Sequence, residues 1–314
     1  MRRLARTAPL MLLGALVAPA SAFAHGDAVP VSRLASAWDA APVPIAGAVV
    51  ALALFGRGFV RLRRRGRRDR APWSRAALFT LGVAVLTLAL VSPLDAIGEE
   101  YLLWVHMTQH VLIGDVAPAL LMVAIRGPLA FFLLPPVVLS RLARVRPLRA
   151  VLHNLLRPWV SFAIWVAVGA GWHVPRCYDY ALSHAWAHQI EHGSFFAAGC
   201  LVWAQLVDPA RRRALSVPTG RVLFAAGLFV AGHALVHPIL FGAKAVYTPY
   251  ALQDERLLGL TPLADQKLAG VVMTLDQVLT LGTLFLVLAW PQIRRRLSSL
   301  TEPDSQTVPA PVDT

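Results

Sequence analysis

The sequence predicts an all-α, polytopic transmembrane helix bundle of seven spans after a signal peptide. Three observations carry that expectation. Of 314 residues, 57% are hydrophobic and 15% charged, and a mean hydropathy of +0.58 lies outside the range of soluble globular chains. Apolar runs of spanning length recur along the chain. The net charge of +13 sits in short arginine clusters between those runs, a pattern that reports membrane topology and not nucleic-acid binding.

The elements follow in order. MRRLARTAPLMLLGALVAPASAFA has a basic start, an apolar core and an A-x-A end at Ala22 to Ala24, so residues 1–24 read as a signal peptide and His25 as the mature N-terminus. An uncleaved first helix is the alternative, and it leaves the topology unchanged because Arg2 and Arg3 stay cytoplasmic. Residues 25–41 form an exported N-terminal segment. Spans are expected at about 42–60, 75–95, 101–124, 158–174, 184–207, 220–241 and 268–291, which makes 42–291 the bundle.

RLRRRGRRDRAPWSR and the RRR triplets at 211–213 and 294–296 belong inside. DAIGEEY, VPRCYDYAL and the connection from Ala243 to Lys267 are then external. Residues 128–140 are too short to span and are broken by Pro135 and Pro136, so they read as a re-entrant or interfacial segment on the cytoplasmic side. The tail, 292–314, is basic and then polar, and reads as cytoplasmic and disordered. Cys177 and Cys200 make no CxxC motif, and no disulfide is expected between them.

This topology gives the histidines one address. His106 and His110 lie in the outer part of the third span, His173 at the mouth of the fourth, and His184, His188 and His192 at the start of the fifth. His233 and His237 close the sixth. His153 is the one histidine left on the cytoplasmic side. Residues four apart on a helix share a face, with Cβ atoms about 6 Å apart, so 106/110, 184/188, 188/192 and 233/237 could each hold one ion. Glu191 falls on the same face as His184, His188 and His192.

Polar groups near helix ends often only hydrogen-bond between helices. A cluster of ionisable groups within a membrane more often marks a pathway or site, so these eight histidines are the candidate metal ligands. Imidazole suits copper, zinc and iron, and Met107 and Met273 add thioethers of the kind copper(I) accepts. Copper, zinc or iron is then the candidate ion; haem clamped between two histidines is the alternative, and a metal-free scaffold is the third reading. The exported His25 could also chelate copper through its amine and imidazole. Asp115, five residues after His110, is expected to point away from the ligand face and to pair elsewhere in the bundle. Asp265 and Gln266 enter the last span, where capping or hydrogen bonding is the default role for Asp265. No nucleophile–base pair or phosphate loop stands out, so an enzyme is not expected.

HMTQHVLIGDVAPALLM at 106–122, WHVPRCYDYAL at 172–182 with HQIEH at 188–192, and ADQKLAGVVM at 264–273 resemble the CtaG family of polytopic bacterial cytochrome c oxidase assembly factors, over about residues 40–291. The resemblance implies a multi-pass protein of the bacterial cytoplasmic (inner) membrane, needed to make active oxidase. It also implies oxidase subunits or a copper chaperone as partners, membrane lipid as surroundings, and no nucleic acid. Residues matching its motifs are His106, Gln109 and His110; His173 and Pro175; His188, Glu191 and His192; and Asp265 and Gln266. After Met273 the chain reads TLDQVLTLG, where the family pattern has an aromatic residue and a proline. On this reading the cluster holds copper transiently at the outer face and passes it on by ligand exchange.

Overall fold

The computed structural model describes residues 29–209, 215 and 218–301. The expected signal peptide, His25, the triplet at 211–213 and the tail beyond Thr301 lie outside the described residues. All regular structure among the described residues is helical.

The helices used below are α1 (Pro42–Arg64), α2 (Trp73–Val91), α3 (Leu94–Glu100) and α4 (Leu103–Ala124). Then come α5 (Leu129–Phe132), α6 (Pro136–Arg144), α7 (Arg146–Leu155), α8 (Pro158–His173), α9 (Pro175–Ser183) and α10 (Ala185–Leu206). The chain continues with α11 (Pro218–Phe241), α12 (Thr248–Leu252) and α13 (Pro262–Thr301).

Proline writes many of these starts. It is pre-organised for the first helical position, where no N–H partner is required, and it opens α1, α6, α8, α9, α11 and α13. It also forces the preceding residue out of the helical region. Arg157 (ψ 134°) and Val174 (ψ 123°) are extended for that reason, which bends α7 against α8 by 75° and separates α8 from α9.

Among the described residues five helices are long and apolar enough to cross a membrane: Pro42–Arg64, Arg68–Val91, Leu103–Ala124, Thr219–Phe241 and Pro262–Trp290. The bent pair α7 and α8 would make a sixth if it forms one span. All seven expected runs are helical, but two differ from simple spans. α8 has 16 residues, fewer than the roughly 20 a bilayer needs. α10 has 22 residues but buries His188, Glu191, His192 and Gln205 among its apolar ones. The last helix starts at Pro262 and runs on to Thr301, past the expected end at 291, and so takes Asp265 and Gln266 into its first turn.

The segment at 128–140 breaks before Pro136, as its prolines require. The first turn, α5, lies on α1, where the Arg57 guanidinium donates to the carbonyls of Phe132 (3.3 Å) and Leu133 (3.0 Å). Arg61 and Arg65 stand over the Phe132 ring. The arginines of the first connection and the 128–157 region therefore share one end of the bundle.

α4 and α10 cross at the centre. A Cβ at Gly199 of α10 would collide with the Gly114 carbonyl of α4, so only glycine permits this approach. Gly114 belongs to a π turn, Leu112–Val116, inside α4. The main apolar core, including Phe55, Phe79, Leu121 and Phe196, lies toward the arginine end. A smaller one, including Leu103, Met107, Tyr178, Tyr247 and Tyr250, lies toward the histidine end.

Candidate metal centre

His106 and His110 lie one turn apart on α4, as do His188 and His192 on α10, and the crossing brings the two pairs face to face. The rings form a closed square. Centroid separations along its edges are 4.3 Å (106–110), 5.2 Å (110–192), 4.1 Å (192–188) and 5.2 Å (188–106). All four residues are buried, and one ring nitrogen from each lies within 4.8 Å of the others.

The protons on two rings can be assigned. Tyr250 donates its hydroxyl to the Gly98 carbonyl at 2.7 Å, because a carbonyl can only accept. Its oxygen is then an acceptor for the His106 Nδ1–H at 2.8 Å, with the Tyr178 hydroxyl at 2.9 Å from the same nitrogen. Burial pushes both phenols well above their ordinary range, so they keep their protons. On α10, the His188 Nδ1 lies 2.6 Å from a Glu99 carboxylate oxygen, which fixes Nδ1 as the protonated nitrogen. The two Nε2 atoms face each other across 3.3 Å.

Two lone pairs at that distance in a buried site repel unless a cation or a proton lies between them. The separation is close to the edge of a tetrahedron with metal–nitrogen bonds of about 2.0–2.1 Å, which is roughly 3.3 Å. A carboxylate or phenol on the far nitrogen of a histidine is the usual support for a metal-binding ring.

The other half of the square has unmet capacity. His110 Nδ1 and Nε2, His192 Nε2, and both carboxylate oxygens of Glu191 are buried without a hydrogen-bond partner. Glu191 stands 3.9 Å from His110 Nε2. Buried polar atoms normally find partners, and one unpartnered nitrogen each from His110 and His192, with Glu191 beside them, fits a bound cation.

Below the square lies a cavity of about 110 Å³ whose lining includes Met107, His110, His173, Met273, Asp115 and Asp276. His173 donates Nδ1–H to the Gly169 carbonyl at 2.7 Å, leaving a bare Nε2 that is buried and unpartnered. Asp115 pairs with Trp203, and with Asp276 and Thr280, and it lines the same cavity as His110.

The remaining candidates are placed elsewhere. His184 caps α10 with extended backbone (φ −138°) and stacks on Tyr180 at 3.9 Å. It lies outside the helix, so the four-residue spacing to His188 does not give a shared face. His233 bonds Gln277 at 3.0 Å, and the exposed His237 ring contacts Phe241. Gln109 turns to the other side of α4, where its amide donates to the Ala89 carbonyl at 2.9 Å and to Asp95. Asp265 accepts from Leu103 N (2.9 Å) and Trp104 N (3.0 Å), so it caps α4 from a neighbouring helix. Gln266 ties Val246 N and the carbonyls of Ile239 and Lys244.

Sequence reasoning missed Glu99, Tyr178 and Tyr250. The hints were that DAIGEEY places Asp95, Glu99 and Glu100 just before HMTQH and that Tyr178 lies within WHVPRCYDYAL. What brings them in is close packing of α3: a Cβ on Gly98 would stand 2.9 Å from His106 Cα.

The chain matches the family described as cytochrome c oxidase caa3 assembly factor over residues 53–295. It is similar to the uncharacterised proteins Mb0105 of Mycobacterium bovis and MT0111 of Mycobacterium tuberculosis. Each is 28% identical over 282 residues, covering 86% of this chain and 42% of the relative. The chain thus spans about two fifths of the length of these curated relatives. No solved structure matches it. With its three motifs inside the matched region, the chain belongs to the cytochrome c oxidase caa3 assembly factor family.

Proposed function

We propose that this protein serves cytochrome c oxidase assembly as a multi-pass protein of the bacterial inner membrane that holds copper at His106, His110, His188 and His192 and passes it on. The observation that carries the reading is the square of four buried histidines, with one ring nitrogen from each within 4.8 Å of the others. Glu99 and Glu191 supply negative charge beside the cation, and without such charge an ion in a dry site is costly. Copper is cargo here and leaves by ligand exchange. His110 borders both the square and the cavity, and His173, Met107 and Met273 line that cavity. Imidazole suits copper and thioether suits copper(I), so these residues form a graded route out. Oxidase subunits or a soluble copper chaperone are the receivers.

The haem alternative meets a geometric obstacle. Four rings with centroids 4.1–5.2 Å apart around the square fill the space a porphyrin needs between two axial histidines. The metal-free scaffold leaves five buried polar atoms unpartnered, a penalty of about 1–3 kcal/mol each.

Copper, zinc and haem are to be quantified on detergent-purified protein from cells grown with and without added copper. Near one copper per chain in the wild type, and none in the quadruple alanine variant of the four histidines, is the expected result. Full oxidase activity in cells carrying only the quadruple variant would falsify the delivery role.

A further inference from the structure

A second site lies at the opposite end of the bundle. Between Asp115 and Asp179 the sequence contains no acidic residue, while Arg141, Arg144, Arg146, Arg149 and Arg157 fall within seventeen positions. α6 and α7 carry most of this charge, and neither has a buried residue. Among the described residues none of Arg141, Arg144, Arg146 and Arg149 is ion-paired. In the first connection, by contrast, Arg67 and Arg70 both face Asp69.

Where α6 meets α7, Ser140, Ala143, Arg144, Arg146 and Arg149 surround an open hollow of about 380 Å³. Val137, Val138 and Val151, on the same two helices, and Val145 at their junction are 40–60% exposed. Valine side chains left open beside a ring of guanidinium groups describe a helix that lies in a membrane interface, with its apolar face in the acyl boundary and its charge at the headgroups. Arginine is the side chain suited to phosphate, which it can hold through two parallel N–H bonds.

We propose that α6 and α7 form a binding site for the phosphate of an anionic phospholipid, held by Arg144, Arg146 and Arg149 with the Ser140 hydroxyl. The exposed valines take the first part of the acyl chains. Short amphipathic helices with no buried residue gain little from the bundle, so the lipid also fixes their position against α5 and α8. The site is independent of the metal centre and stands whether or not copper binds.

The full chain, purified in a zwitterionic detergent, is titrated with phosphatidylglycerol or phosphatidylcholine, and bound lipid is counted by native mass spectrometry. Phosphatidylglycerol is expected to be retained and phosphatidylcholine lost. R144Q/R146Q/R149Q is expected to weaken retention by about five-fold per arginine, roughly a hundred-fold in all. R67Q/R70Q, which alters a basic connection already facing an acid, is expected to leave it unchanged. The triple lysine variant, which keeps the charge, separates loss of binding from loss of folding by retaining most of the lipid. Equal retention in the wild type and the triple glutamine variant overturns the site. So does displacement of the lipid by millimolar inorganic phosphate, or capture of an acidic protein segment at the same arginines in place of lipid.

Discussion

His106 and His188 come from helices eighty-two positions apart in the chain and hold their Nε2 atoms 3.3 Å from each other. Each ring has its Nδ1 proton committed to an oxygen outside the square, Tyr250 for one and Glu99 for the other. The two rings are thus oriented as ligands by groups that would not touch the ion.

Glu99→Gln tests that orientation. The amide can still accept from His188 Nδ1–H, but it removes the charge that makes the ring a stronger donor. Affinity for copper, measured by competition with a chromophoric chelator, is expected to fall 10–100-fold with the number of sites unchanged. An unaltered affinity would show that the carboxylate plays no part in metal binding.

Asp95 gives a pH signature. Burial, and next the neighbouring Glu99, push its carboxyl up to about 7. In the unfolded chain it ionises near its ordinary value of about 3.9. Between those values the folded protein binds the extra proton, so this group makes stability fall as pH rises from about 4 to about 7. Asp95→Asn keeps an acceptor for the Gln109 amide and removes the titration. Thermal midpoints in detergent are expected to be flatter across that window and higher than wild type at about pH 8.

Gly199→Ala probes the helix crossing. The added methyl meets the Gly114 carbonyl, so α4 and α10 must separate, at a cost of about 1–3 kcal/mol for such overpacking. A lower unfolding temperature together with a loss of bound copper is the expected pair of results. Retained copper at reduced stability would mean the square closes without this close approach.

Asp265→Ala separates fold from metal. It removes both acceptors that cap α4, which is worth about 1–2 kcal/mol. The variant is expected to melt earlier while binding a full complement of copper at saturation. A lost metal site in a stable, folded variant would place Asp265 in the centre after all.

Much of the fold was legible because it rests on local rules. Apolar runs gave the helices, and prolines at 136, 158, 175 and 262 set where several of them start. Short-range spacing also paired His106 with His110 and His188 with His192. The same spacing paired His184 with His188 and failed, because His184 is a cap and not a helical residue. It also linked His233 to His237, where one ring is held by Gln277 and the other contacts Phe241 at the surface. A count of residues cannot tell which helix faces which.

By itself the sequence determined an apolar, all-helical chain and four-residue histidine pairs, each concentrated on one stretch of helix. Periodicity and proline chemistry act over a few residues, and those are properties a linear string contains. Only the tertiary structure decided that two of the pairs close into one square, with Glu99 and two tyrosines behind it. That choice depends on how near two backbones come, and it was made by the absence of side chains at Gly199 and Gly98.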